Sequence, residues 1–336
     1  MSQAAWTHPE ADPGRTGWID VAPVRALPSV RWRVDLARPT RLLATPAALA
    51  VEAAGGEDEV EALVLDPETG AVRWRVGGLA RILAIRGQTL LVQEAGGAGR
   101  ALDLATGDTR YAVAGKVLLA LDDGVLVAQH EGVAWLAQPD PQAPPAAFPE
   151  WSARGMAGNM GWIASTELVV SATRSGAVAL RKDDGRKAWD RPRARGWGLA
   201  DRQVVLEATT EAGRETLVLE PDGSLATHLL RRRPLLLAPE ALIAQDVAEG
   251  SLVRCDRASG AIVRLLPRWT VDEQRRRLAG ARDVVYAAGV IELQALGPAG
   301  EVLWSLPPER FPETFEPVPA DERLYVLLEA GLACLA

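Results

Sequence analysis

The chain contains very little cysteine and histidine. Its 336 residues include two cysteines, Cys255 and Cys334, which lie far apart and outside any C-x-x-C pattern. A disulfide framework is therefore excluded, and both cysteines are expected to be small buried apolar side chains. The three histidines stand in unrelated contexts, so no zinc site is predicted.

Long apolar runs are also absent. No stretch approaches the roughly 18 apolar residues of a membrane-spanning helix. The first residues, MSQAAWTHPEADPGRTGW, show neither the basic nor the apolar region of a secretory signal. We therefore expect a cytoplasmic protein, or a periplasmic or secreted one if a signal has been removed. The net charge of −7 argues against a general nucleic-acid binder, whose surface is basic.

What the sequence does contain is a repeat of about 38 residues. Glycines in similar surroundings follow one another at intervals of 37, 78, 38, 37 and 40 residues, and the interval of 78 is two repeats whose shared anchor is lost near Ala137–Phe148. These glycines are Gly70, Gly107, Gly185, Gly223, Gly260 and Gly300. Such a period along a whole chain is typical of solenoids, propellers or arrays.

Each of these glycines stands between two alternating apolar runs. Glycine tolerates the positive φ that a tight turn between strands requires. An aromatic residue follows the glycine by four positions at Trp74, Tyr111, Trp189 and Trp304. Because two more β-type runs precede each turn, one unit holds four short strands, and the sequence predicts the blades of an all-β propeller.

The pentapeptide VRWRV occurs at Val30–Val34 and again at Val72–Val76. Their alignment places Trp32 in the outermost strand of a blade, although no inner strands precede it. The C-terminal run Arg323–Ala336 has the pattern of inner strands and stops before a turn. We therefore predict that one blade joins both chain ends and closes a ring of eight four-stranded antiparallel blades. The domain then covers residues 29–336 as a monomeric ring, and residues 1–28 form a tail, disordered or strapped along the outside.

The repeat resembles the tryptophan-docking motif, A-x-D-x-x-T-G-x-x-x-W, of PQQ-like, quinoprotein-type propellers. It stands here as VLDPETGAVRW (Val64–Trp74) and ALDLATGDTRY (Ala101–Tyr111), and the resemblance extends from Ser29 to Ala336. It implies that the tryptophan of one blade packs against the turn glycine of its neighbour. The docking residues expected on this basis are Trp32, Gly70, Trp74, Gly107, Tyr111, Gly185, Trp189, Gly260, Gly300 and Trp304.

The same resemblance includes quinone-dependent dehydrogenases. They carry an adjacent cysteine pair, a calcium held by Glu and Asn, and a catalytic Asp. Here the two cysteines are 79 residues apart, and no matching Glu, Asn and Asp set is recognisable. We therefore predict a protein without catalytic activity, cofactor or metal, nearer the family's scaffold members, with a vestigial quinone enzyme as the least favoured alternative.

In the predicted ring, basic and acidic residues fall in different classes of loop. Connections from the last strand of one blade to the first strand of the next share one face, the link face, and are rich in arginine. The opposite face, the turn face, carries the turns between third and fourth strands, with acids such as Asp66, Asp103 and Asp256. We predict a basic link face that binds an acidic protein segment, because arginine can hold a carboxylate in bidentate fashion.

Nucleic acid is a less favoured partner because no aromatic residues alternate with the arginines. Two alternatives stay open: charged loops that only keep the ring soluble, and a small anionic molecule bound at the central channel of the link face. The arginines proposed to bind a partner are Arg154, Arg193, Arg195, Arg231, Arg232, Arg233, Arg275, Arg276 and Arg277.

A second candidate surface lies in WSARGMAGNMGW (Trp151–Trp162). Methionine beside tryptophan is typical of adaptable protein-binding surfaces, so Trp151, Arg154 and Met156 are expected to be exposed. Trp197 holds the matching place one blade further on. The alternative is a buried inner strand of the fourth blade. The proline-rich segment before it, Ala137–Glu150, predicts a third blade whose outer strand is short or absent.

Overall fold

The computed structural model consists of β-strands joined by turns and loops. No helix in the part of the chain that it describes is long and apolar enough to cross a membrane. The structure describes residues 17–55, 59–156, 161–165, 167–172, 176–200, 203–210, 213–269, 278–289, 292–307 and 314–336.

Antiparallel units of four strands follow one another along the chain. Two strands come before the first unit: β1 (Trp18–Ile19) and β2 (Val30–Asp35). Blade one contains β3 (Arg41–Ala44), β4 (Leu49–Ala54), β5 (Val60–Leu65) and the first part of β6 (Val72–Arg86). Blade two contains the rest of β6, β7 (Thr89–Glu94), β8 (Gly99–Asp103) and β9 (Thr109–Val113). Blade three contains β10 (Val117–Leu121), β11 (Gly124–Gln129), β12 (Gly132–Ala137) and β13 (Trp151–Arg154). Blade four contains β14 (Gly161–Ala164), β15 (Leu168–Ala172), β16 (Gly176–Arg181) and β17 (Lys187–Pro192).

The second half of the chain repeats this arrangement. Blade five contains β18 (Ala194–Ala200), β19 (Gln203–Thr210), β20 (Gly213–Leu219) and β21 (Leu225–Leu230). Blade six contains β22 (Arg232–Leu237), β23 (Ala241–Asp246), β24 (Leu252–Asp256) and β25 (Ile262–Leu266). Blade seven contains β26 (Leu278–Ala281), β27 (Val284–Ala288), β28 (Leu293–Leu296) and β29 (Val302–Leu306). Blade eight contains β30 (Thr314–Ala320), β31 (Arg323–Leu328), β32 (Gly331–Leu335) and β2.

The first strands of the blades contact one another in order around a ring. The contacts run from β3 through β6, β10, β14, β18, β22, β26 and β30, and β30 returns to β3. Strand β2 pairs antiparallel with β32, so that Trp32 lies opposite Cys334 and Asp35 opposite Gly331. The all-β propeller of four-stranded blades, closed by strands from both chain ends, is therefore confirmed.

Burial decreases from the middle strands to the rim. Middle strands such as β4, β7 and β27 are buried along nearly their whole length, whereas the outer strands β2 and β21 are mostly exposed. Both faces of an inner strand pack on neighbouring blades, so these strands are almost continuously apolar. One apolar cluster extends over blades seven, eight, one and two. Blade eight, which is made from both chain ends, therefore packs against blade seven on one side and blade one on the other.

The third blade has an outer strand, which is four residues long. Strand β13 pairs with β12, from Gly132 opposite Arg154 to Trp135 opposite Trp151. The proline-rich residues before it form a long connection between the two strands, because proline has no backbone NH for the ladder. The sequence predicted that this outer strand is short or absent. It is short, and it completes the blade.

Residues 17–28 cross the turn face. Strand β1 pairs in parallel with β26, with Trp18 opposite Gly280, on the edge of β26 that β27 leaves free. Further along, the backbone NH of Glu322 donates to the Ala22 carbonyl at 2.8 Å. The segment therefore runs from the central channel over blades seven and eight to the rim. Residues 17–28 are held against the ring, as one of the two alternatives expected, but they cross its turn face instead of following its outside. An inward course is favoured because the free edge of β26 offers backbone partners.

Candidate functional site

Tryptophans of the outer strands lie on turn glycines of the next blade. The pairs are Trp32 on Gly70, Trp74 on Gly107, Trp151 on Gly185 and Trp189 on Gly223. A Cβ built on any of these glycines would lie within 2.9 Å of the ring. Their φ angles of 68–85° also favour glycine. Each such contact therefore requires a glycine for two independent reasons.

Each of these indoles also donates its NH to a backbone carbonyl of the turn that it covers. The acceptors are Pro67, Leu104, Lys182 and Pro221, at 2.6–3.2 Å. We call the combination of ring, glycine and carbonyl the docking contact. It joins neighbouring blades at the turn face.

The aspartate of the repeat stabilises the turn on which the ring lies. Asp66 Oδ1 accepts hydrogen bonds from the backbone NH groups of Glu68 at 2.9 Å and Thr69 at 3.0 Å. Arg73 donates to Asp66 Oδ2 at 2.7 Å, and this bond is the main reason why the pKa of Asp66 is lowered to about 2. These bonds make the carboxylate a structural part of the turn, which reduces the charge that it offers to a partner.

We expect the stability of the protein to fall as the pH drops from about 4 to about 2. The folded-state pKa of Asp66 is about 2 and its ordinary value 3.8, so the stabilisation is present above pH 4 and is lost as the pH falls through 2. Urea midpoints at pH 7, 4 and 2.5 should fall less steeply in D66N than in the wild type. Equal pH dependence in both proteins would show that Asp66 does not stabilise the fold.

The other contacts between blades depart from the docking contact. Tyr111 donates its hydroxyl hydrogen to the Pro141 carbonyl at 2.9 Å, in the long connection of blade three. Trp304 donates to the Val24 carbonyl at 2.9 Å, because the chain ends interrupt the last turn of blade eight and residues 17–28 take its place. At Gly300 the backbone of β25 closes directly on the glycine. At Gly260 no described atom lies within 4 Å of a built Cβ.

Trp151 and Met156 are buried, so the expectation that they form an exposed partner-binding surface is wrong. They are 7% and 8% exposed. The Trp151 ring stacks on Trp135 with centroids 6.4 Å apart and an interplanar angle of 12°. Its distance of 38 residues before Trp189 equals the repeat and is the signal that could have identified it as a docking residue. Arg154 is exposed and lies 3.7 Å from Glu131.

The arginines of the link face differ in their availability. Arg193 and Arg231 are exposed. Arg232 is not openly available, because its guanidinium pairs at 2.7 Å with the buried Asp246. Arg233 is half-buried. The remaining candidates fall outside the described part of the chain, either as whole residues or as side chains: Arg195, Trp197, Arg275, Arg276 and Arg277.

Among the described residues, six connections between blades contain a residue with left-handed φ. Three of these residues are glycines, and three are arginines with φ of 41°, 60° and 54°. A non-glycine residue in this conformation costs about 1–2 kcal/mol. None of the three guanidinium groups has an ion-pair partner among the described residues. The presence of arginine at these positions is therefore explained neither by the backbone conformation, which favours glycine, nor by an ion pair within the described protein. The glycines are Gly78, Gly115 and Gly155, and the arginines are Arg38, Arg193 and Arg231.

Replacing Arg193 by glycine is expected to raise the free energy of unfolding by about 0.5–1 kcal/mol, because glycine adopts the left-handed conformation without strain. R33G, within the regular strand β2, is the matched control and should lower stability by a similar amount. Urea unfolding measures both. A destabilised R193G would mean that the arginine side chain stabilises the fold through its own contacts.

A cavity of about 320 Å³ lies on the turn face, where residues 17–28 meet blades eight and one. Four of its five charged residues form two pairs: Arg282 with Asp20 at 3.1 Å, and Arg323 with Glu68 at 2.6 Å; the fifth is Asp321. The lining therefore has no excess of positive charge that would attract an anion. The cavity also lies opposite the link face, where the small-anion alternative was placed.

The residues implied for a quinone site do not come together. Cys255 is buried in β24 of blade six and Cys334 in β32 of blade eight, and burial raises the pKa of both thiols. No group of three or more His, Cys, Asp or Glu in the described ranges could hold a metal ion. The adjacent cysteine pair of the dehydrogenases thus has no counterpart in Cys255 and Cys334.

The ring, its repeat and its docking contacts define a β-propeller of the PQQ-repeat class. A family model described as PQQ_2, outer membrane protein assembly factor BamB, matches residues 26–201, just over half of the chain. The chain belongs to this family. Among curated protein sequences, none matches it significantly.

Several solved structures share the fold. The computationally designed Ika8 protein has a TM-score of 0.65 at 12% identity, over 89% of this chain and 98% of its own. Quinohemoprotein alcohol dehydrogenase ADHIIG from Pseudomonas putida HK5 has a TM-score of 0.60 at 10% identity, over 99% and 80%. BamB from Moraxella catarrhalis has a TM-score of 0.42 at 15% identity, over 86% and 79%. The first two likenesses show the propeller fold alone.

Proposed function

We propose that this chain is a non-catalytic scaffold that binds an acidic segment of another protein through arginines of its link face. Membership of a family named for an assembly factor supports a protein-binding role. The observation that carries the proposal is the placement of Arg38, Arg193 and Arg231 in left-handed conformations where sister connections have glycine.

The three arginines differ from the paired arginines of the same face. Arg41 pairs with Glu52 at 3.2 Å and Arg232 with Asp246 at 2.7 Å, so those guanidinium groups serve the fold. Arg38, Arg193 and Arg231 are exposed, and no described acid pairs with them. Exposed guanidinium groups on one face attract a carboxylate-bearing partner and can hold it in bidentate fashion.

The test is the triple variant R38G/R193G/R231G. Glycine removes the strain of the left-handed φ at these positions, and the three substitutions remove three positive charges. We expect it to fold at least as stably as the wild type and to bind a short glutamate-rich peptide about tenfold more weakly. Fluorescence anisotropy over a salt series measures the affinity, and screening should reduce the difference at high salt.

The matched control removes three exposed arginines that already pair with acids: Arg181, Arg186 and Arg264. R181A/R186A/R264A changes the net charge equally and should retain wild-type affinity. If both triple variants lose the same affinity for the peptide, the effect is one of net charge alone. If the wild type shows no salt-sensitive binding of the peptide, the proposal is contradicted. Preference for single-stranded DNA over the peptide would instead favour a nucleic-acid partner.

Absence of catalysis is a separate part of this proposal, because quinoprotein alcohol dehydrogenases share the fold. The purified protein should show no quinone absorbance and no dye-linked alcohol oxidation after incubation with PQQ and calcium. Either signal would favour the vestigial-enzyme alternative.

A further inference from the structure

The boundary between blades five and six lacks the indole that forms the docking contact at four other boundaries. In blade one Trp74 lies opposite Val64, and in blade four Trp189 lies opposite Ala179. The corresponding residue of blade five is Thr227, opposite Val218. Threonine is too short to cover the turn of the next blade.

The uncovered turn of blade six is nevertheless built like the covered ones. Asp256 Oδ1 accepts from the backbone NH groups of Ala258 at 3.2 Å and Ser259 at 2.7 Å, as Asp66 does in blade one. Gly260 has φ of 72°, the same value as Gly70. It is exposed, and no described atom lies within 4 Å of a built Cβ, whereas the four covered glycines have an indole within 2.9 Å.

The outer strands of the two blades that meet at this boundary carry exposed apolar side chains. The large apolar residues that are most exposed in the described chain include Leu225 and Leu230 on β21, and Ile262 and Val263 on β25. Scattered apolar residues are normal on a surface, but apolar residues concentrated on the outer strands of two successive blades are typical of an interaction site. Strand β21 is also the last strand of its sheet, so one of its edges is free for pairing.

We infer that Gly260 and the outer strands β21 and β25 form a docking site for an extended, tryptophan-bearing segment of a partner protein. The chemistry of the occupant follows from the four docking contacts in the same molecule, in which an indole lies on the glycine of a turn of this kind. The exposed leucine, isoleucine and valine residues receive the apolar side chains that flank the tryptophan. Backbone pairing along a sheet edge is an established way to bind such a segment. This site lies at the rim and is independent of the link face.

The probe is a synthetic peptide of Ala71–Val76 (AVRWRV), the strand that makes the docking contact of blade one. Binding of the labelled peptide to the full chain is measured by fluorescence anisotropy. We expect the peptide with alanine at the Trp74 position to bind at least tenfold more weakly. The comparison separates recognition of the indole from attraction of two arginines to an acidic protein.

The variant T227W supplies the missing indole from within the chain, and it should weaken peptide binding at least tenfold. T227V is the matched control, because valine has the shape of threonine and should leave binding unchanged. If T227W fails to fold, G260N serves instead, because asparagine accepts a left-handed φ and its side chain would cover the turn.

Three results would overturn this inference. They are equal binding of the tryptophan and alanine peptides, no binding by the wild type, and unchanged binding by T227W or G260N. A fourth result would also contradict a partner protein. If the peptide binds only to the W6A variant, the site is occupied by Trp6 of the chain itself, which precedes the described residues.

Discussion

Replacing Trp151 by alanine is expected to lower the free energy of unfolding by about 3–5 kcal/mol, the usual cost of deleting a buried tryptophan. The ring is 7% exposed, stacks on Trp135 and covers Gly185. Its NH donates to the Lys182 carbonyl at 2.6 Å. The substitution therefore opens a cavity between blades three and four and leaves a carbonyl without its donor. Urea unfolding followed by circular dichroism measures the effect.

Two control variants separate the effect of the ring from that of its NH group and from the loss of any aromatic side chain. W151F keeps a ring over Gly185 and loses the NH donor, so it should cost less than the alanine variant. Phe148, in the connection just before β13, is 83% exposed, and F148A should change stability by no more than about 0.5 kcal/mol. If W151A resembles F148A, Trp151 does not stabilise the boundary between blades three and four.

Deleting residues 1–35 is expected to destabilise the ring by more than about 5 kcal/mol, an amount comparable to the whole stability of many domains. The deletion removes β2 and leaves the edge of β32 open. It also removes Trp32, which lies on Gly70 with its ring 5.9 Å from that of Tyr325. Thermal unfolding should show a loss of cooperativity, since blade eight then lacks its outer strand.

Deleting only residues 1–28 is the control for this closure. It spares β2 but removes the Val24 backbone, whose NH donates to the Tyr286 hydroxyl at 2.7 Å and whose carbonyl accepts from Trp304 at 2.9 Å. A measurable but smaller loss is expected, because residues 17–28 are bound to the ring. Equal melting of the two truncations would contradict closure by β2.

Local patterns were sufficient to predict the repeating fold. A tight turn needs glycine, and strands buried between blades need apolar residues, so Gly70 and Gly107 with their flanking runs reveal the unit directly. Trp151 escaped recognition because the prolines before it lengthen the connection and remove the glycine from which its position could be counted. Its spacing from Tyr111 and Trp189 was present in the sequence, but an exposed aromatic and a buried one have the same local pattern.

The period of the blades, the residues of their turns and the pairing of Val30–Val34 with the C-terminal strands follow from the amino-acid sequence alone. Each of these depends on neighbouring residues or on identity between repeats. Which arginines are exposed and which form ion pairs is known only from the folded structure, because a pair such as Arg232 and Asp246 forms between adjacent strands. The tertiary structure also shows that no described atom lies within 4 Å of a Cβ built on Gly260, whereas Gly107 lies beneath the Trp74 ring. Contacts between blades join residues more than thirty positions apart, and their presence depends on packing that no local pattern specifies.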